Sequence, residues 1–284
     1  MRIVLCADDY GLAEGVSRGI LALGRAGRLS ATGAMVTTDR WKRDAAPLRE
    51  LRLGLALGLH LNLTTGRAVS PVPELAPSGD LPALKRLMAL AFSGRLPEAC
   101  VRAEIHRQLD RFEREIGNAP DFVDGHQHVH VLPTVRSALL SVLRERYAGR
   151  ALLVRDPADR ADRILRRGGP VAKALFVGTL ARGFAEAVRE AGFRANDSFA
   201  GFSPFDEKAS FGQEFQRFLR APGELHLIMC HPGFPDPELA ALDPVVGRRR
   251  QEFDALMRRP DLPALLWPGW PRSKVTRPPC KAAA

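Results

Sequence analysis

Cysteine is sparse in this chain, and none of it stands in CxxC spacing. The four residues (Cys6, Cys100, Cys230 and Cys280) are scattered, which argues against a zinc ribbon and against a secreted disulfide framework. Cys6 and Cys230 lie in strand-like runs, where buried, reduced thiols are expected. No apolar run reaches the length that spans a bilayer, so no transmembrane segment is expected. The apolar start is too short for a signal peptide and runs at once into two aspartates, so a cytoplasmic location is the default expectation. There is no repeat of fixed period and no Ser/Gly/Pro linker. A single domain over residues 1–268 follows, with a basic, poorly ordered tail over 269–284.

What the sequence does have is positive charge. Lys and Arg number 42 against 32 Asp and Glu, a formal net charge of +10 over 284 residues. Such a balance can steer a protein toward nucleic acid, an anionic membrane surface or a phosphorylated substrate. Here the basic residues are spread through most predicted helices. Only Arg248-Arg249-Arg250 and the tail from Arg272 to Arg277 are concentrated. The charge therefore reads as compositional bias, and no nucleic-acid partner is expected.

Strand-like and helix-like stretches alternate along the whole length. Strands are predicted at 2–7, 31–36, 53–63, from 121 through the histidine-rich run, at 151–154, 198–202 and 224–230, with 264–267 as a candidate last one. Helices are predicted at 14–26, 41–51, 81–92, 97–116, 133–147, 171–191, 207–219 and 245–257. About seven strands alternating with helices give a parallel sheet in one α/β domain, barrel-like or open.

The chemical residues fall at strand ends. Val123-Asp124-Gly125-His126-Gln127-His128-Val129-His130 holds three of the seven histidines at a spacing of two. In an extended strand that spacing puts His126, His128 and His130 on one face, where three imidazoles make a poor core and a good metal site. Asp8 and Asp9 end the first strand. His60 falls in Leu59-His60-Leu61-Asn62-Leu63-Thr64, with Asn62 and Thr64 alternating onto its side. Arg155 and His231 end two further strands. Ligands of parallel α/β folds bind at this edge. Adjacent aspartates point oppositely on a strand, so both can serve one site only with a turn between them, for which Gly11 is a candidate. Tyr10 is a candidate pocket residue.

One carboxylate and two imidazoles form a facial metal set with open positions. A metal there activates water and polarises a carbonyl, while a free carboxylate and a histidine move protons. Asp8, Asp9, His60, His126 and His231 supply those parts. Such a site suits zinc, manganese, cobalt or nickel, and magnesium less readily by ligand type.

Four motifs carry a resemblance: Cys6-Ala7-Asp8-Asp9-Tyr10-Gly11, Gly58-Leu59-His60-Leu61-Asn62-Leu63-Thr64, the histidine run from Val123, and Cys230-His231-Pro232-Gly233. In this order they resemble the YdjC-like (ChbG/HpnK group) carbohydrate deacetylase family. The resemblance covers residues from about 2 to 257. It implies a distorted (β/α) barrel, about seven parallel strands, related to the NodB-type polysaccharide deacetylases. It implies removal of an N-acetyl group from an amino sugar with one divalent ion, zinc or magnesium first among the candidates. Carried over by motif, Asp8 is the general base and His231 the acid. Asp9, His60 and His126 hold the metal. Arg155 resembles the family's substrate-side arginine. His128 and His130 are then pocket or supporting residues, His128 toward substrate and His130 behind, with Asp124 orienting an imidazole. Tyr10, Asn62 and Thr64, read from their own positions, are the further candidate substrate contacts.

Residues 160–205 show no motif of the family, so the particular N-acetylated sugar stays open. The basic balance allows a phosphate- or lipid-linked one, and a homodimer is left open. A metal-dependent phosphoesterase or amidohydrolase using the same His/Asp set is the alternative enzyme. The non-enzymatic alternative, a basic nucleic-acid or membrane binder with structural zinc, leaves Asp8 and Asp9 without a role.

Overall fold

Strand β1 (Ile3–Tyr10) is buried along all eight residues, because it lies in the middle of a sheet covered on both faces. A computed structural model describes residues 2–267 and 270. The remaining strands are β2 (Ala31–Ala34), β3 (Ala56–Leu61), β4 (Phe122–Gly125), β5 (Leu153–Val154), β6 (Ser198–Ala200) and β7 (His226–Cys230). Among the described residues these seven form one sheet in the order β5-β4-β3-β2-β1-β7-β6, every neighbouring pair parallel.

The helices between them are α1 (Glu14–Arg25), α2 (Trp41–Arg49), α3 (Leu84–Phe92), α4 (Glu98–Ile116), α5 (Pro133–Tyr147), α6 (Ala161–Arg167), α7 (Val171–Leu180), α8 (Phe184–Glu190), α9 (Phe211–Phe218), α10 (Pro237–Leu242), α11 (Gly247–Arg258) and α12 (Leu262–Leu265). None of the described helices is long and apolar enough to cross a membrane.

Side-chain alternation builds two cores. Ile3, Leu5 and Ala7 of β1 pack outward against the helices. Val4 and Cys6 point the other way, meeting Ala31, Ala56, Phe122, Leu153, Phe199, Leu227 and Met229, so each strand contributes to an inner core. That is the period-two signature of a curled, barrel-like sheet with a filled interior. Closure is thin. Arg194, ahead of β6, bridges Leu153, and Asn196 exchanges hydrogen bonds with the backbone of Asp156. Gly58 is required by this packing, since a Cβ there would stand 2.4 Å from the Phe122 ring.

Three sequence expectations change. The helix predicted over 171–191 is two helices, α7 and α8, divided at Gly183 with φ of 71°. The candidate strand at 264–267 is the single turn α12, after which Leu266 bridges Ile3. The strand predicted through the histidine run stops at Gly125, and His126–Val131 is a tightly turned segment kinked at Gln127 and His128. The expected tail over 269–284 lies outside the described residues, Trp270 excepted.

Candidate active site

The site is assembled at the C-terminal ends of β1, β3, β4 and β7. The first device is in β1. Ala7 pairs with Thr32 but Tyr10 with Ala34, so β1 carries one extra residue across this step. Asp9 absorbs it with φ of 70°, a left-handed conformation that costs a non-glycine residue energy and concentrates at functional sites. The bulge re-aims a side chain, and both Asp8 and Asp9 line the same cavity. The turn expected at Gly11 is therefore made at Asp9 itself, with Gly11 following at φ of 88°.

The second device is the end of β4. Gln127 (φ 53°) and His128 (φ 59°) are consecutive left-handed residues, so His126, His128 and His130 do not share a strand face. His126 turns to Asp9, its Nδ1 2.9 Å from Oδ1. His128 lines the cavity, edge-on to Phe199 and Phe202. His130 is fully buried and donates from Nε2 to the Arg155 carbonyl at 2.8 Å. The one-face expectation fails because two left-handed residues rotate the chain between successive histidines.

His60 arrives from β3, in register with Asp124 on β4. Its Nδ1 lies 2.6 Å from Asp124 Oδ1 and its Nε2 3.3 Å from Asp9 Oδ1. Gly33 on β2 makes room, since a Cβ there would stand 3.1 Å from the His60 ring.

This donor set suits a divalent cation. One atom each from Asp9, His60 and His126 lie within 4.8 Å of one another. Asp124 stands behind His60 in the position from which a carboxylate can orient an imidazole toward a cation. The field agrees. Burial would lower the His60 pKa, but Asp124 and Asp8 outweigh it and push it up to about 10. A site that draws a proton onto a buried imidazole is one that favours positive charge. Cys6, Asp8 and Asp124 also cluster, but there the Arg155 guanidinium already supplies the cation.

Arg155 is 0% exposed. It forks onto Asp8 at 2.7 and 2.9 Å and lies 2.9 Å from Asp124. Burial would raise the Asp8 carboxyl; Arg155, helped by His60 and His231, holds it at about 2. Asp9 is likewise held well below the carboxylate range, His126 and Arg249 outweighing its burial. His231 Nε2 stands 4.0 Å from Asp8 Oδ2. Burial lowers its pKa to about 4 against the pull of Asp9 and Asp8, so the ring is neutral at pH 7.

These groups open into a cavity of about 390 Å³. Its walls are largely apolar: Leu84 and Met88 from α3, Phe176, Val177 and Leu180 from α7, and Phe205, with Lys173 among them. The motif-free region 160–205 thus supplies one wall.

Four residues expected at the substrate lie off this lining. Arg155 sits behind Asp8. Tyr10 is buried, its hydroxyl donating to the Asp44 carbonyl at 2.6 Å. Asn62 accepts from the backbones of Thr64 and Thr65 and donates to Thr37 Oγ1, shaping the loop after β3. Thr64 has its Oγ1 buried. Conversely, the sequence reading passed over Arg249, whose Nη2 lies 2.8 Å from Asp9 Oδ2, and Glu252, whose Oε2 accepts from the His231 backbone at 2.6 Å. A signal existed: Arg248, Arg249, Glu252 and Leu256 form the buried face of α11, a helical period with charges where apolar residues are usual.

A family model described as YdjC-like protein matches residues 2–266. A chitooligosaccharide deacetylase of Enterobacter sp. (strain 638) is 38% identical over 133 residues, 47% of this chain and 52% of that protein. The chain thus spans about half the length of the Enterobacter and Proteus mirabilis relatives it matches. A carbohydrate deacetylase of Mus musculus is 30% identical over 258 residues, covering 83% of this chain and 79% of that one. Among solved structures, a candidate cellobiose-phosphate cleavage protein of Enterococcus faecalis V583 has a TM-score of 0.70 at 20% identity, over 94% of this chain and 97% of that one. The last likeness concerns the fold.

Proposed function

Because the chain belongs to the YdjC-like family, we propose that it is a metal-dependent hydrolase that removes an N-acetyl group from an amino sugar, releasing acetate and the free amine. The single observation that carries this reading is the convergence of Asp9, His60 and His126 at the cavity floor, beside a separate ionised Asp8 and a neutral His231. The family relatives named as carbohydrate and chitooligosaccharide deacetylases support the substrate class.

A divalent ion held by Asp9, His60 and His126 would supply Lewis acidity to the acyl carbonyl and to water. Zinc is favoured by two imidazoles; magnesium, manganese, cobalt and nickel remain for the metal titration to rank. Asp8 carries its charge throughout the neutral range and accepts the proton of the attacking water. Arg155 holds it by both oxygens, which fixes its direction and weakens its basicity. His231, neutral at rest, donates to the leaving nitrogen after gaining a proton within the cycle. Asp8, 4.0 Å away, is the nearest acid–base group to supply it. His128 faces the sugar, and the α3–α7 wall accommodates an apolar portion of the substrate, as a lipid-linked sugar would carry.

Acetate release from a panel of N-acetylated sugars, with metal stripped and restored, tests the reading. Robust phosphatase activity with no acetate from any sugar would replace it with the phosphoesterase alternative.

A further inference from the structure

We propose that Arg249 is the positioning residue of the metal centre: it ties one oxygen of Asp9 so that the other alone meets the ion. The inference rests on the reading of Asp9, His60 and His126 as metal ligands, and goes beyond it to a residue outside all four motifs.

The geometry is specific. The Arg249 side chain is 1% exposed. Its Nη2 donates to Asp9 Oδ2 at 2.8 Å and reaches Asp243 Oδ2 at 3.2 Å, while Nε donates to the Val245 carbonyl at 2.9 Å. Asp9 Oδ1 is left to the two imidazoles. A carboxylate free to rotate offers both oxygens to a cation and fills coordination positions that water and substrate need. A guanidinium on Oδ2 removes that option. Arginine suits the task because its rigid fork addresses acceptors in several directions at once, which an ammonium on a flexible stem does not.

The same turn of α11 fixes the other half of the site. The Arg249 carbonyl accepts from Gly233 N at 3.0 Å, and Glu252 accepts from His231 N at 2.6 Å. Metal carboxylate and acid histidine are therefore registered to each other through one helix, although they lie 222 positions apart in the sequence. Stability alone is a poor account of this guanidinium. Its Nη1 is buried and meets no acceptor among the described residues, a cost that an apolar side chain of like size would not carry.

The test uses Co²⁺ alone as probe, with the whole chain carrying Arg249→Lys or Arg249→Gln. Circular dichroism and thermal melts check the fold; calorimetry gives Co²⁺ affinity and the visible absorption spectrum reports coordination. Arg249→Gln is expected to bind Co²⁺ about 10–100-fold more weakly, the range for loss of a residue that supports a ligand. Its spectrum should shift as Asp9 offers both oxygens, and Arg249→Lys should fall between it and the natural protein. Folded variants with unchanged affinity and spectrum overturn the proposal. So does failure of both variants to fold, which would make Arg249 a scaffold residue. His126→Ala with undiminished Co²⁺ binding would overturn the metal-site reading itself, and this proposal with it.

Discussion

Asp8 and Asp9 are adjacent in the chain, yet each carboxylate is held by its own buried arginine: Asp8 by Arg155 at 2.7 Å, Asp9 by Arg249 at 2.8 Å. The extra residue in β1 makes this separation, because it lets both carboxylates enter one cavity from different directions. One is free of the imidazole cluster and available for proton transfer, while the other is aimed into it. A DD pair on a regular strand would place one of them in the outer core.

Asp8→Asn separates these roles. It keeps the shape and the Arg155 contact at one oxygen, and it removes the proton acceptor. Turnover is expected to fall about 10²–10⁴-fold, the usual range for a general base, while metal affinity by calorimetry stays within a few-fold. Equal loss of metal would show that Asp8 is itself a ligand.

Asp124→Asn tests the support behind His60. The 2.6 Å contact fixes the imidazole with Nε2 toward Asp9. Its loss is expected to weaken metal binding about 10–100-fold, read by competition with a chromogenic chelator. The variant also leaves Arg155 with one carboxylate fewer, so its melting temperature should drop.

His126→Ala and His128→Ala distinguish two cavity histidines that sequence spacing alone cannot tell apart. The first is expected to lose metal affinity, since its Nδ1 reaches Asp9 Oδ1. The second should keep the metal and raise KM, because its ring faces the cavity between Phe199 and Phe202. The reverse pattern in a metal titration would reassign the ligand.

Much of this was legible from sequence because it is periodic. The strand runs ending in Asp8, His60, Arg155 and His231 were visible as apolar residues followed by polar ones, and the parallel α/β class followed from their alternation with helices. What was hidden depends on dihedral angles and long-range pairing. Two consecutive left-handed residues at Gln127 and His128 leave no mark in a pattern of alternating histidines. Asn62 alternates with His60 as a pocket residue would, but its amide is consumed by the loop it shapes. Arg249 sits in a run of three arginines, and only the fold reveals that it is buried while Arg250 is not.

Acid should act on this site in a definite direction. Asp8 is held at about 2, below the usual carboxylate value of 3.8, and Asp9 moves the same way. Both bind protons less readily folded than unfolded, so their stabilisation is complete above the unfolded value and is lost as pH falls through the folded one. Glu252 moves oppositely, raised by burial to about 7. Its contribution is complete below the ordinary glutamate value of 4.5 and is lost as pH rises through 7. Denaturant melts of the stripped protein should lose stability between pH 4 and 2, with a shallower loss in Asp8→Asn. An unchanged slope in that variant would contradict the assignment of Asp8.

The central claim is that one cation, held by Asp9, His60 and His126, serves amide hydrolysis with Asp8 as proton acceptor. The most direct measurement is acetate release from N-acetylglucosamine oligomers and lipid-linked N-acetyl sugars by the protein stripped of metal, then restored with Zn²⁺, in the natural sequence and in Asp8→Asn. Activity that vanishes on stripping, returns with Zn²⁺ and stays about 10²–10⁴-fold lower in a metal-loaded Asp8→Asn variant is expected. Full acetate release without metal, or from the loaded Asp8→Asn variant, would contradict it.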